Sequence, residues 1–309
     1  MKKILDKIKL LIPFPLIFGF LFMVFIWNIS LPDNFQEAAI GDFGRGVAEL
    51  ETEFSDSFAG IGVEAQSYLV FDFFGRIIAF RESDLQWPLA SLAKLMTALL
   101  VEENIGKEAV IPVSRRAILA EGDEGFLIGE NFYRDDLRDV MLLHSSNDAA
   151  YALAEYFGWD EFIKLMNQKA ASLGMAKTFF FNPAGLDFSK TAAGAYGSAG
   201  DLMILLKYLM ENHPQVLEAT RRGFLEIESL EGIKHRFANT NRLIYDIPQF
   251  LAGKTGFTDI AGGNLAVMAD IGVNQPVGII VLGSSENGRF EDVLKLYRAT
   301  GQWFQNHKL

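Results

Sequence analysis

Ala90-Ser91-Leu92-Ala93-Lys94-Leu95-Met96-Thr97 is the stretch on which the reading of this chain turns. Pro88 stands just before it and disfavours helix up to that point. From Ser91 onward, Leu92, Ala93, Leu95, Met96, Ala98, Leu99 and Leu100 make the sequence apolar nearly all round. That pattern predicts a buried helix over 91–103. Lys94 lies three residues after Ser91, so the two share one helix face a turn apart. Burial among such neighbours disfavours the charged form of a lysine. An amine in that state takes the proton of a nearby hydroxyl and makes Ser91 a nucleophile. The Ser91 amide then sits at a helix N-terminus, where unpaired N–H groups hold an oxyanion. Alone the pattern is weak, because about one Ser-x-x-Lys is expected by chance in a chain of this length. An N-capping serine beside a snorkelling lysine is the commoner origin of an isolated pair.

Two more motifs follow in order and change that balance. Ser145-Ser146-Asn147 falls at the junction of two predicted helices, 135–143 and 148–157. A hydroxyl there carries a proton toward a departing amine, and an amide side chain holds a substrate backbone. The plainer role is capping of the second helix. Lys254-Thr255-Gly256, followed by Phe257-Thr258, reads as a strand edge. Its ammonium and hydroxyl suit a terminal carboxylate, and its glycine lets a substrate backbone come close. A surface turn is the plainer role here. Ser285-Glu286-Asn287 imitates the middle motif but comes after Lys254, in a predicted surface loop, and is set aside.

Around these motifs the chain divides into three parts. From Leu10 to Trp27 it is uncharged and apolar, with Lys2, Lys3, Lys7 and Lys9 before it and Asp33 and Glu37 after it. The length suits a bilayer crossing, and the lysines place the N-terminus in the cytoplasm and the rest outside. Glu37-Ala38-Ala39 is a poor cleavage site, so residues 1–32 are read as a retained membrane anchor rather than a signal peptide. Residues 33–62, acidic with scattered glycine and Arg45, read as an extracytoplasmic linker, leaving 63–309 as the folded domain. Segments 66–73 and 76–80 read as a hairpin about Phe74-Gly75, and 263–270 and 276–282 as strands. Helical periodicity covers 161–173, 201–210 and 290–304. Strands at both ends with helices between them predict one α+β domain, its antiparallel sheet built from terminal segments around a helical insert.

Composition excludes several function classes. The net charge of −11 argues against nucleic acid, which selects basic surfaces. With no cysteine there is no disulfide, thiolate metal site or cysteine nucleophile. The histidines, His144, His213, His235 and His307, make no metal-ligating spacing, and no cofactor is expected. His144 adjoins Ser145, but sequence neighbours on a helix do not face each other, so it is read as structural. The glycines between Gly185 and Gly200 lack the Gly-Lys-Ser/Thr ending of a phosphate loop.

With these residues placed, the chain from about Val63 to Phe304 resembles the serine D-Ala-D-Ala carboxypeptidases. These are the low-molecular-mass penicillin-binding proteins of the S11 peptidase family. The likeness extends to Met166-Asn167, Leu173-Gly174-Met175, Asn182-Pro183-Ala184-Gly185-Leu186 and Gly253-Lys254-Thr255-Gly256-Phe257-Thr258. It implies a penicillin-recognising transpeptidase/β-lactamase-like fold. It implies Ser91 as acylated nucleophile, Lys94 as its base and Ser145 as relay to the leaving D-alanine. Asn147, Lys254, Thr255 and Gly256 would bind substrate, and the amides of Ser91 and Phe257 would form the oxyanion hole. Arg289 in Gly288-Arg289-Phe290 would correspond to the family's carboxylate-binding arginine. The implied partners are peptidoglycan stem peptides, β-lactams as covalent inhibitors, and a bilayer through the N-terminal segment.

Two departures from the family pattern stand out. Many relatives carry a second, β-rich domain and a C-terminal amphipathic helix, and with about fifty residues after Lys254 this chain is expected to lack both. The N-terminal segment is expected to replace that anchor, and a DD-endopeptidase acting on cross-links becomes the alternative activity. Phe257 stands where many relatives have His or Tyr, which alters the cleft wall and leaves the backbone donor. A class A β-lactamase shares the three motifs but needs a glutamate for its deacylating water, and Glu161 is wrongly spaced for it. A membrane-tethered wall-binding protein without activity is disfavoured, because every catalytic side chain is present.

Overall fold

The strands that make the sheet come from both ends of the folded region, and their alternation dictates a two-sided core. The computed structural model describes Phe58 and residues 60–122, 125–272 and 274–307. The chain runs β1 (Ser67–Asp72), β2 (Ile77–Arg81), β3 (Trp87–Pro88), a 3-10 turn (Ala90–Ala93), α1 (Lys94–Asn104), β4 (Val110–Pro112), α2 (Arg115–Ile118) and β5 (Asn131–Tyr133). There follow α3 (Arg134–Leu143), α4 (Asn147–Phe157), α5 (Trp159–Ser172), β6 (Phe179–Phe180), β7 (Ala195–Gly197) and α6 (Ala199–Asn212). A 3-10 segment (Pro214–Arg221) leads to β8 (Phe224–Glu228) and β9 (Lys234–Ala238). Last come a 3-10 turn (Arg242–Ile244), β10 (Phe250–Thr258), β11 (Gly262–Asp270), β12 (Pro276–Ser284) and α7 (Gly288–Asn306).

The main sheet has the order β10-β11-β12-β1-β2 and is antiparallel throughout. Successive side chains on a strand point to opposite faces. Leu69, Phe71, Met268, Ile280 and Leu282 therefore join the helical core with α1, α3, α4, α5 and α6. Val70, Val267, Ile279 and Val281 face the other way, onto Phe290, Val293, Leu296 and Trp303 of α7. Both faces are covered, which is why β12 reads as an unbroken apolar run. The architecture is α+β, with the sheet built from the terminal segments, α1–α6 inserted between β2 and β10, and α7 following β12.

The predicted elements are present with edges moved by a few residues, and three differences have physical causes. The helix expected to start at Ser91 starts as a 3-10 turn, with regular α-helix only from Lys94. Ala90 enters that turn at φ +48°, so the backbone cannot feed straight into an α-helix. The hairpin β8–β9 had no counterpart in the sequence reading, although Leu225 and Ile227 alternate inward along it. Phe58 and Ile61, on the linker side of the expected boundary at Val63, pack into the α7 core. The described residues lie in one compact unit, Asp56–Leu309. The anchor segment lies outside the described residues, as does the acidic linker up to residue 57. Among the described residues no helix is long and apolar enough to cross a membrane.

Candidate active site

The 3-10 turn carrying Ser91 is wedged between the edge strand β10 and a loop at residues 182–186. Leu89 N donates to Ala195 O and Leu92 N to Leu89 O, which tie down the approach to the turn. Asn182 organises the loop from inside: its Oδ1 accepts from the amides of Ala184, Gly185 and Leu186. The loop then supplies carbonyls to α1. Thr97 Oγ1 donates to Pro183 O at 2.7 Å, and Lys94 Nζ to Ala184 O at 3.3 Å. Gly185 has φ +77°, and a Cβ there would overlap the Ala90 carbonyl. Only glycine fits that position on both counts.

Lys94 is 0% exposed, yet its Nζ reaches Ser91 Oγ at 2.8 Å and Asn147 Oδ1 at 2.7 Å. Asn147 is braced in turn, its Nδ2 donating to Glu121 O at 2.6 Å. A buried ammonium is costly unless polar atoms surround it, and here three oxygens do. The first and second motifs therefore meet at one amine.

The second motif divides its labour. Ser146 caps α4, its Oγ accepting from Ala149 N at 3.0 Å. The plainer capping role thus belongs to Ser146, and its two neighbours project elsewhere. Ser145 sits at φ +68°, a left-handed conformation rare outside glycine and asparagine that marks stored backbone strain. Its Oγ accepts from Lys254 Nζ at 2.8 Å. Lys254, 1% exposed, also donates to Thr255 O at 2.8 Å, and Thr255 Oγ1 lies 2.6 Å from Thr240 Oγ1. The third motif therefore meets the second, as the first does. His144 turns away, its Nδ1 donating to Ala238 O at 2.8 Å and its ring lying 5.2 Å from Phe237, so it is structural as read.

Gly256 has a different use from the one expected. A Cβ there would lie 3.3 Å from both Ser91 N and Leu92 N and 3.1 Å from Leu89 O. Its missing side chain lets β10 close against the serine turn, rather than only admitting a substrate backbone. That closeness sets the Ser91 amide against β10 at Gly256, the residue before Phe257. The Phe257 side chain is 42% exposed and forms part of a cleft of about 920 Å³ with Asn147, Phe188, Lys190 and Asp259.

Arg289, read as the counterpart of the family's carboxylate-binding arginine, comes from α7. It is buried on the first turn of α7, is not among the residues lining that cleft, and spends Nη1 on Gly256 O at 2.6 Å. Burial lowers its pKa to about 10, partly offset by Glu286 and reinforced by Arg242. Ser285, in the imitation motif, accepts from Gly288 N and donates to Glu64, away from Lys94 and Lys254. Sequence reasoning missed Glu121, Ala184 and Thr240 as supports. Two of them act through backbone carbonyls, which leave no side-chain signature. Among the described residues no cluster of acids and histidines could hold a metal ion.

The arrangement has relatives. The family model for D-alanyl-D-alanine carboxypeptidases (peptidase S11) matches residues 53–286. The chain is 31% identical over 245 residues to D-alanyl-D-alanine carboxypeptidase DacF of Bacillus subtilis, covering 76% of this chain and 61% of that protein. It is 32% identical over 214 residues to the D-alanyl-D-alanine endopeptidase of Escherichia coli, covering 67% of each. Among solved structures it resembles penicillin-binding protein D2 of Listeria monocytogenes in its ampicillin-bound form, with a TM-score of 0.65 and 31% identity over 77% of this chain and 98% of that one. The chain thus spans about three fifths of the DacF length. A family match over three quarters of the sequence, together with three motifs linked through the buried Lys94 and Lys254, places this chain in the peptidase S11 family.

Proposed function

We propose that this chain is a serine-type D-Ala-D-Ala carboxypeptidase that trims peptidoglycan stem peptides through an acyl-Ser91 intermediate. One observation carries it: a fully buried Lys94 Nζ held 2.8 Å from Ser91 Oγ. As a free base, the Lys94 amine takes the serine proton as Oγ attacks the penultimate D-alanine carbonyl carbon. The carbonyl electron pair moves to oxygen, where the Ser91 and Phe257 amides receive it. Asn147 Oδ1, 2.7 Å from Nζ, steadies the lysine as it gains charge. The proton gained by Lys94 then passes through the Ser145 hydroxyl to the leaving amine as the C–N bond breaks, which returns Lys94 to its free-base form, while Lys254 Nζ holds Ser145 Oγ at 2.8 Å. Water cleaves the ester and frees Ser91. Lys254 and the Thr255 hydroxyl suit the substrate's terminal carboxylate.

A β-lactam presents a similar carboxylate beside a reactive amide, so it would acylate Ser91 and stay there. The likeness to an ampicillin-bound protein supports this reading. Glu161 pairs with Lys164 on the exposed face of α5 and is not placed for a β-lactamase role. The segment 10–27 would tether the domain outside the cytoplasmic membrane, where the wall is.

The likeness to an endopeptidase and the size of the cleft favour a second reading, cleavage of cross-links. Incubation with a stem pentapeptide and with a cross-linked dimer, followed by product masses, decides between them. Release of D-alanine from the pentapeptide alone supports the carboxypeptidase. Cleavage mainly of the dimer supports the second reading, and no product from either sinks both.

A further inference from the structure

Arg289 lies on α7 behind the sheet, yet it donates to a carbonyl of β10 at the residue against which the serine turn packs. The unit is Gly256–Phe257: its C=O accepts from Arg289 Nη1 at 2.6 Å. The bond is trans, as is every described peptide bond, so its N–H points opposite to its C=O. The Phe257 N–H is therefore turned away from the guanidinium. β10 is the edge strand of the sheet, and the serine turn packs against it at Gly256, within 3.3 Å of a Cβ position there. A cation bonded to the carbonyl draws electron density from the amide and strengthens its N–H as a donor, since bonded dipoles polarise one another. It also fixes the plane of that peptide.

The site is shaped for this contact. Phe257 pairs with Gly263 across the ladder, and a Cβ on Gly263 would come within 3.2 Å of Arg289 Cδ, so the glycine makes room for the arginine stem. The guanidinium lies 4.8 Å from the Phe290 ring and 5.9 Å from the Phe257 ring, which hold it in place. Nε has no hydrogen-bond partner.

We propose that Arg289 is a positioning residue of the oxyanion hole: it orients and polarises the Gly256–Phe257 peptide so that the Phe257 N–H meets the developing oxyanion. The proposal rests on the acyl-Ser91 reading given above. It differs from direct binding of the substrate carboxylate, and the two separate cleanly.

The test compares R289M and R289K with wild type in three readouts. These are turnover of a stem-type peptide ending in D-alanine carboxylate, turnover of the same peptide ending in carboxamide, and the ester carbonyl stretch of the penicilloyl enzyme by infrared difference. R289M is expected to lower kcat about 10- to 100-fold on both peptides with little change in KM, and to move the stretch to higher wavenumber. R289K, which keeps a donor and a charge, is expected to fall between R289M and wild type in both respects. A loss confined to KM for the carboxylate peptide, with the stretch unmoved, overturns the proposal. If R289M does not fold, R289K decides alone by the same two criteria. Wild type that forms no acyl-enzyme at Ser91 would overturn the underlying reading as well, whereas a normal acyl-enzyme with an unmoved stretch overturns only this inference.

Discussion

Gly185→Ala is the substitution whose effect the geometry fixes most fully. The residue sits at φ +77°, which costs an alanine about 1–2 kcal/mol. Its new methyl would overlap the Ala90 carbonyl and lie 3.1 Å from Ala93 Cβ. Overpacking of that kind costs about 1–3 kcal/mol when the neighbours must shift. The sum is about 2–5 kcal/mol. For a unit of this size each kcal/mol moves the melting midpoint by roughly 2–4 °C, so a fall of about 4–20 °C is expected. Gly174→Ala supplies the control, because Gly174 has φ +81° but open space around its Cβ position. It carries only the backbone part, about 1–2 kcal/mol. The two variants differ further in acylation. Ala90 precedes Ser91, and misplacing a nucleophile by about 1 Å costs up to 100-fold. Gly185→Ala is thus expected to slow labelling by a fluorescent penicillin about 10- to 100-fold, and Gly174→Ala to leave it unchanged. Melting by circular dichroism and stopped-flow labelling measure both. If Gly185→Ala melts no lower than Gly174→Ala and labels at the wild-type rate, the wedge between the 182–186 loop and the serine turn does not position the nucleophile.

Ser145→Ala and Ser146→Ala should split function from stability. The first is expected to cut peptide turnover about 10²- to 10⁴-fold with the melting midpoint held, and the second to cost about 1 kcal/mol through the lost cap with turnover retained. Glu102→Ala removes the shared partner of Arg134 and Arg138, both nearly buried, and is expected to cost about 3–5 kcal/mol in denaturant titration. Asp139 has its pKa raised, chiefly by burial, with Arg138 opposing. Such a carboxyl binds its proton more tightly folded than unfolded, so its contribution is most favourable below the ordinary carboxylate range and is lost as pH rises through the raised value. Asp139→Asn is therefore expected to be more stable than wild type at pH 7, with the difference shrinking toward about pH 4. A constant difference across that range contradicts the assignment.

The sequence made some features legible because their causes are local. Ser91 and Lys94 lie three residues apart within an apolar run, so their meeting follows from helical geometry alone. The meeting of Lys94 with Asn147, and of Ser145 with Lys254, spans 53 and 109 residues. No periodicity predicts those pairs, and the resemblance to a known family supplied them. Thr240 was invisible for the same reason, since its contact with Thr255 depends on how the segment after β9 returns to β10. The β8–β9 hairpin could have been found, because Phe224-Leu225-Glu226-Ile227-Glu228 alternates in strand fashion before Gly232. Arg289 shows the reverse case. Its place in the sequence suggested a ligand contact, and only the coordinates reveal that its Nη1 is committed to the Gly256 carbonyl.

The central claim, that the buried Lys94 amine activates Ser91, is tested most directly by mapping the label. Wild-type protein incubated with penicillin and digested with trypsin is expected to carry the added mass on the peptide 82–94 at Ser91. Ser91→Ala should carry none, and a folded Lys94→Met should be labelled at least about 100-fold more slowly. Mass added to any other serine, or Lys94→Met labelled at the wild-type rate, would contradict the account.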